Sequence, residues 1–216
     1  MKQLLKVLVI IVMVLIAAAQ TQASSIFINE IHYDNSGADI NEGIEIAGPA
    51  GSDLTGWSLV LYNGANGLSY NTAILNGVIP DQQNGFGTIF FSYPSNGIQN
   101  GAPDGIALVD SINTILQFLS YEGFFSAGNG PASGLTSIDI EVSESGSTPI
   151  GFSLQLTGAG NVYEDFVWSI PIAGTYGAVN TGQIFPSAIP EPSALILFGS
   201  GLAGLVFARR KTKNKQ

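Results

Sequence analysis

The chain has 216 residues, 45% hydrophobic and 11% charged, with no cysteine and a formal net charge of −9. The charges are segregated: Ser24–Ile189 holds fifteen of the sixteen acids and none of the seven Lys and Arg residues, a formal charge of −15. That stretch lacks the cations that displace phosphate counterions, which argues against direct nucleic-acid binding; disulfides are excluded, and structural zinc would have no thiolate and a single imidazole, His32.

The first element, Met1–Ala23, has Lys2 and Lys6, then the apolar run Val7–Ala19, then small residues ending at Ala23. This order predicts a signal helix cleaved between Ala23 and Ser24. The apolar run is shorter than the ~20 residues that span a bilayer.

A single domain is expected over residues 24–186, about the size of one ordinary domain. Its runs of strand length are Ser25–His32, Gly43–Ala47, Trp57–Tyr62, Tyr70–Leu75, Thr88–Tyr93, Gly105–Val109, Thr114–Tyr121, Phe152–Thr157 and Asp165–Ser169. Several alternate with a period of two: Phe152, Leu154 and Leu156 predict a buried face, with Ser153, Gln155 and Thr157 opposite. In Trp57–Tyr62 the face opposite Trp57, Leu59 and Leu61 carries Val60 and Tyr62 and is half apolar. Seven Asn-Gly pairs, beginning at Asn63, Asn66, Asn76, Asn84, Asn96, Asn100 and Asn129, favour tight type I′ turns between strands. No segment sustains a helical period, so the fold class is all-β, a sandwich or a barrel. Ser143–Pro149 reads as a loose acidic loop.

The acidic opening segment gathers Glu30, Asp34, Asp39, Glu42 and Glu45, with Asn35 and Asn41 among them. Oxygen ligands of this kind suit calcium, with Asp34, Asp39 and Glu42 as the candidate metal ligands. The spacing matches no EF-hand, and a solvated acidic loop is the alternative. No other cofactor is expected. His32, between Glu30 and Asp34, reads as a structural residue rather than a general base. No Gly-x-Ser-x-Gly elbow or phosphate-binding loop occurs in the domain. Tyr33, Tyr62, Tyr70, Tyr93, Phe124 and Phe125 fall at strand ends and loops, where they either stack on sugar rings or pack in the core and at its rim.

The last element, residues 187–216, contains Pro190-Glu191-Pro192, the apolar stretch Ala194–Ala208 and the basic cluster Arg209-Arg210-Lys211. A transmembrane helix over 194–208 is expected, with the basic end cytoplasmic and the domain outside the inner membrane. Motif, span and basic cluster in this order resemble the PEP-CTERM sorting signal. The resemblance implies recognition by an exosortase-like membrane enzyme and association with extracellular polysaccharide.

A second resemblance covers the domain. Asn29-Glu30-Ile31, Gly43-Ile44-Glu45-Ile46, Leu54-Thr55-Gly56-Trp57-Ser58-Leu59, Gln99–Asp110 and Gly177–Gln183 resemble bacterial lamin-tail domains, although Gly43 stands where those carry an aromatic residue. It implies an immunoglobulin-like β-sandwich. The expected function is a non-catalytic structural or adhesive module, exported through an inner-membrane intermediate to the cell surface or extracellular matrix. The alternative is a small secreted hydrolase or an accessory subunit of an extracellular nuclease.

Overall fold

All nine runs form strands in the computed structural model, which describes residues 25–187. They are β1 (Phe27–His32), β2 (Gly43–Pro49), β3 (Ser58–Asn63), β4 (Leu68–Ile74), β5 (Phe86–Ser92), β6 (Asp104–Val109), β7 (Ile115–Tyr121), β9 (Phe152–Ala159) and β10 (Phe166–Trp168). Three two-residue strands were not legible in the pattern: β8 (Ile138–Asp139), β11 (Ile172–Ala173) and β12 (Gln183–Ile184). Pieces this short are defined by the neighbour they pair with, not by their own period. The expected signal helix and the helix over 194–208 lie outside the described residues.

Two sheets form, ordered β10-β9-β1-β2-β5 and β4-β3-β6-β7-β8, with β11 and β12 also pairing β9. The pairings are antiparallel except β12 with β9 and β7 with β8. The strand content and two-sheet arrangement fit a β-sandwich. Between the sheets lies the main core, with Ile31, Ile44, Ile46 and Leu154 from one side and Leu59, Leu61, Ile106, Leu108 and Leu119 from the other. Tyr33 stacks on Tyr121 within it, ring centroids 3.8 Å apart.

The outward faces are covered as well, and this explains the half-apolar alternation of β3. Val60 and Tyr62, with Ala107, Val109 and Phe118, pack beneath Phe125, Ala127 and Ala132 from the excursion after β7. The Tyr62 hydroxyl donates to the Asn129 carbonyl and accepts from the Ala132 amide, which pins the excursion down. On the other sheet Phe27, Ala47, Leu156, Phe166 and Phe185 form a third cluster. The segment after β11, Gly174–Phe185, straps across this face. Consequently Ser153 and Gln155, the expected polar face of β9, are fully buried instead of solvated.

Turn chemistry is narrower than the Asn-Gly count predicts. Only Asn84-Gly85 has both residues at positive φ, 53° and 85°, and it closes the bridge between Gln83 and Phe86 as a type I′ turn would. Gly43 serves a different purpose. The Phe90 ring occupies the space that a Cβ at position 43 would need, so only glycine fits there.

Candidate functional site

The domain holds fifteen acids, and the buried ones serve the structure. Six of them, Glu30, Asp39, Glu42, Glu45, Asp104 and Glu144, are buried, and the first four belong to the opening segment expected to be a solvated or ion-binding loop. A buried carboxylate is costly unless hydrogen bonds replace its water. Here backbone amides from distant segments do so. Glu42 accepts from Gly97 and Ile98, Asp104 from Gly64 and Gly101, and Glu144 from Tyr33 and Asp34. All but the Gly101 bond, which lies three residues from Asp104, tie segments far apart in sequence, in a chain that has no disulfide to do it. Charge-assisted bonds of this type are stronger than neutral ones.

Glu144 lies in the segment expected to be a loose loop, yet it is the anchor of that end. Its Oε1 accepts from His32 Nδ1 at 2.8 Å, the one ion pair among the described residues. The other ring nitrogen, Nε2, faces two acceptors, Asn35 Oδ1 at 3.2 Å and the Ile40 carbonyl at 3.1 Å. The Asn35 amide orientation is fixed because its Nδ2 donates to the Ser36 and Ala38 carbonyls. With acceptors on both sides, the doubly protonated ring makes every bond. Burial pulls the His32 pKa down, but the hydrogen bond and charge of Glu144, with the Ile40 and Asn35 oxygens, outweigh it and raise the value.

A second network lies between the central strands and the strap. The bulge between Ile28 and Glu30 makes Asn29 the extra residue of β1, and both Asn29 and Glu30 reach the strap side. Glu30 accepts from Ser153 Oγ at 2.5 Å and from the Thr175 amide and hydroxyl at 2.9 Å. Glu45 accepts from Asn29 Nδ2 at 2.9 Å and the Gly177 amide at 2.6 Å. Asn180 donates to the carbonyls of Asn29 and Leu156, and Gln183 donates to Asn29 Oδ1. Among the described residues there is no Lys or Arg to neutralise these two acids. Burial first, then the neighbouring Glu30, lifts Glu45 to about 8, although Asn29 and Gly177 pull it down. Burial likewise raises Glu30 against the pull of Ser153 and Thr175. Two neighbouring carboxyls with raised pKa values resemble a catalytic pair, but both are sealed beneath the strap at 0% exposure.

The three candidate calcium ligands come near one another but are already engaged. Asp39 accepts from the Asn35 amide and Asn100 Nδ2, and Glu42 is held by the 97–98 amides. Asp34 is partly exposed, in side-chain contact with Asp39 and Asn100; burial and the adjacent Asp39 raise its pKa. Among the described residues no group of three or more His, Asp or Glu side chains is arranged to hold a metal ion. Of the six aromatics considered for sugar stacking, Tyr33 and Tyr62 are at 0% exposure and Phe125 at 8%. Tyr70 and Tyr93 pack partly buried against the core, which leaves Phe124 as the exposed one. A cleft of about 310 Å³ opens between β7 and the turn at Tyr163–Asp165, lined by Leu116, Gln117, Leu119, Ile138 and Tyr163 among others. Gln117 Oε1 accepts from the Ile28 amide, and its Nε2 has no protein partner.

One family model matches the chain, at residues 188–211, outside this domain. They match the PEP-CTERM protein-sorting motif. The match takes in Pro190, Glu191, Pro192, Arg209, Arg210 and Lys211, each picked out from the order of motif, apolar stretch and basic cluster. The PEP-CTERM motif indicates an exported protein sorted by an exosortase-type enzyme. No curated protein and no solved structure matches the chain. Sequence reasoning missed Glu144, Asp104 and Thr175 as anchors. The one available signal was carboxylates set among isoleucines, as in Ile28-Asn29-Glu30-Ile31 and Ile44-Glu45-Ile46, since an acid inside an apolar strand needs a buried donor.

Proposed function

We propose that the protein is a cell-surface or matrix component whose lamin-tail-like sandwich is a non-catalytic structural or adhesive module. The sorting motif at 188–211 carries the reading. Support for a non-catalytic module comes from the six buried acids, whose carboxyls are occupied by protein hydrogen-bond donors. Support for the lamin-tail likeness comes from where its separate stretches meet. Asn29 and Glu30 of the first, Glu45 of the second, and Gly177, Asn180 and Gln183 of the last join in one buried network. The aromatic that such domains carry at position 43 is replaced across the ladder by Phe90, whose ring fills that place and stacks on Tyr176 at 4.4 Å. Extracellular polysaccharide is the partner that this reading names.

The test is an assay of the purified exported protein against nucleic acids and a panel of glycosides, beside binding to a glycan array. Glycan binding or surface retention without turnover supports a module. Hydrolysis abolished by substituting an acid of the domain would replace this reading with the hydrolase.

A further inference from the structure

We propose that Asn76 is a built-in deamidation site, the one Asn-Gly pair of seven that the fold leaves chemically free. Deamidation needs two groups at liberty: the asparagine side chain, whose Cγ is attacked, and the backbone nitrogen of the next residue, which attacks. Glycine in that next position removes the steric obstacle, so all seven pairs are candidates by sequence. The fold withdraws six of them.

In five pairs the glycine amide is tied up as a donor: Gly64 to Asp104, Gly67 to the Asn63 carbonyl, Gly85 to Asp81, Gly97 to Glu42 and Gly101 to Asp104. The asparagines of these pairs are held too. Asn63 bonds Gln99, Asn66 accepts from Leu68, Asn84 donates to the Phe185 carbonyl, Asn96 to Ser95 and Asn100 to Asp39. In the sixth pair the Gly130 amide donates to nothing among the described residues, but Asn129 is clamped at both its side chain, which accepts from the Ser69 amide at 2.7 Å, and its carbonyl, which accepts from the Tyr62 hydroxyl. Asn76-Gly77 alone is free on both counts. Asn76 is exposed, its side chain makes no hydrogen bond, and the Gly77 amide donates to nothing, among the described residues. Gly77 itself sits at φ +110° with its carbonyl accepting from the Leu54 amide, so the pair lies in an ordered connection between β4 and β5.

The Gly77 nitrogen bonds to Asn76 Cγ and loses its proton, and the side-chain amide leaves as ammonia to give a cyclic succinimide. Water then opens either carbonyl, which yields aspartate or isoaspartate. Both products add a carboxylate to a domain that has no Lys or Arg. The isoaspartate also lengthens the backbone beside the Asp53–Val78 bridge. An exported protein that is not turned over accumulates this change, so Asn76 records its age.

The test is peptide mapping with isoaspartate detection on the exported protein, incubated at mildly alkaline pH either native or in urea. In the native state conversion should be confined to the Asn76 peptide, while in urea all seven pairs convert. An Asn76→Ser variant should show no conversion in the native state and the wild-type pattern at the other six in urea. Equal patterns in native and unfolded protein, faster conversion at another pair, or an unreactive native Asn76 would each overturn the assignment.

Discussion

Stability of the domain should fall as pH rises from about 5 to 8, the reverse of what acidic proteins with salt-bridged carboxylates do. The perturbation acts mainly on Glu45, whose pKa is pushed from 4.5 to about 8 by burial and by Glu30. Between those values the folded chain holds a proton that the unfolded chain has released. Its contribution is therefore fully present below 4.5 and is lost as pH rises through about 8. Each pKa unit is worth about 1.4 kcal/mol, so this carboxyl alone costs on the order of 4 kcal/mol across the window. For a domain of this size that is a drop in Tm of roughly 10 °C. Glu30, Glu42 and Asp104, all raised chiefly by burial, act in the same direction, and so does His32 as it loses its proton. Asp53 and Asp110 are held below 3.8 by the hydroxyl and amide of Thr55 and by the Thr114 amide, and so matter only in stronger acid. Thermal melts at half-unit pH steps in high salt, which screens surface repulsion but not buried groups, would read the effect. Glu45→Gln should flatten the slope whatever it does to the absolute Tm. A Tm that is constant or rises between pH 5 and 8, or an unchanged slope in the variant, would refute the reasoning.

Other expected outcomes follow from the same contacts. Asn180→Ala leaves the buried carbonyls of Asn29 and Leu156 without donors and should cost about 2–4 kcal/mol in urea unfolding. Phe185→Ala removes a fully buried ring that stacks on Phe86 at 4.9 Å, for a loss of about 3–5 kcal/mol by the same measurement. Because the oxygens of Asp39 and Glu42 are already occupied by protein donors, millimolar calcium should raise Tm no more than sodium at matched ionic strength. A calcium-specific rise would restore the ion-binding reading of Asp34, Asp39 and Glu42.

The strands were legible because alternation and strand length report the backbone directly, and all nine runs formed. What lay on each face was legible only in part. The period of β9 correctly set Leu154 and Leu156 toward a core, but it cannot reveal that Ser153 and Gln155 are buried by a strap contributed some twenty residues later. The apolar Val60 and Tyr62 did betray a covered second face. Local composition misled at Ser143–Pro149, where Ser and Gly suggest a loose loop. Glu144 is instead fixed by His32, Tyr33 and Asp34, more than a hundred residues away. The acidic opening segment was recognised as special, but its carboxylates face inward to amides that no spacing rule identifies. The sorting motif was legible in full because it is a linear signal, read by order and charge alone.

The central claim, an exported protein handled through its C-terminal motif, is tested most directly by intact mass of the surface or released protein. Wild-type protein should lack Ala194–Gln216, and replacement of Pro190, Glu191 and Pro192 by alanine should leave the full C-terminus in the membrane fraction. Full-length protein in the same fraction for both would contradict the account.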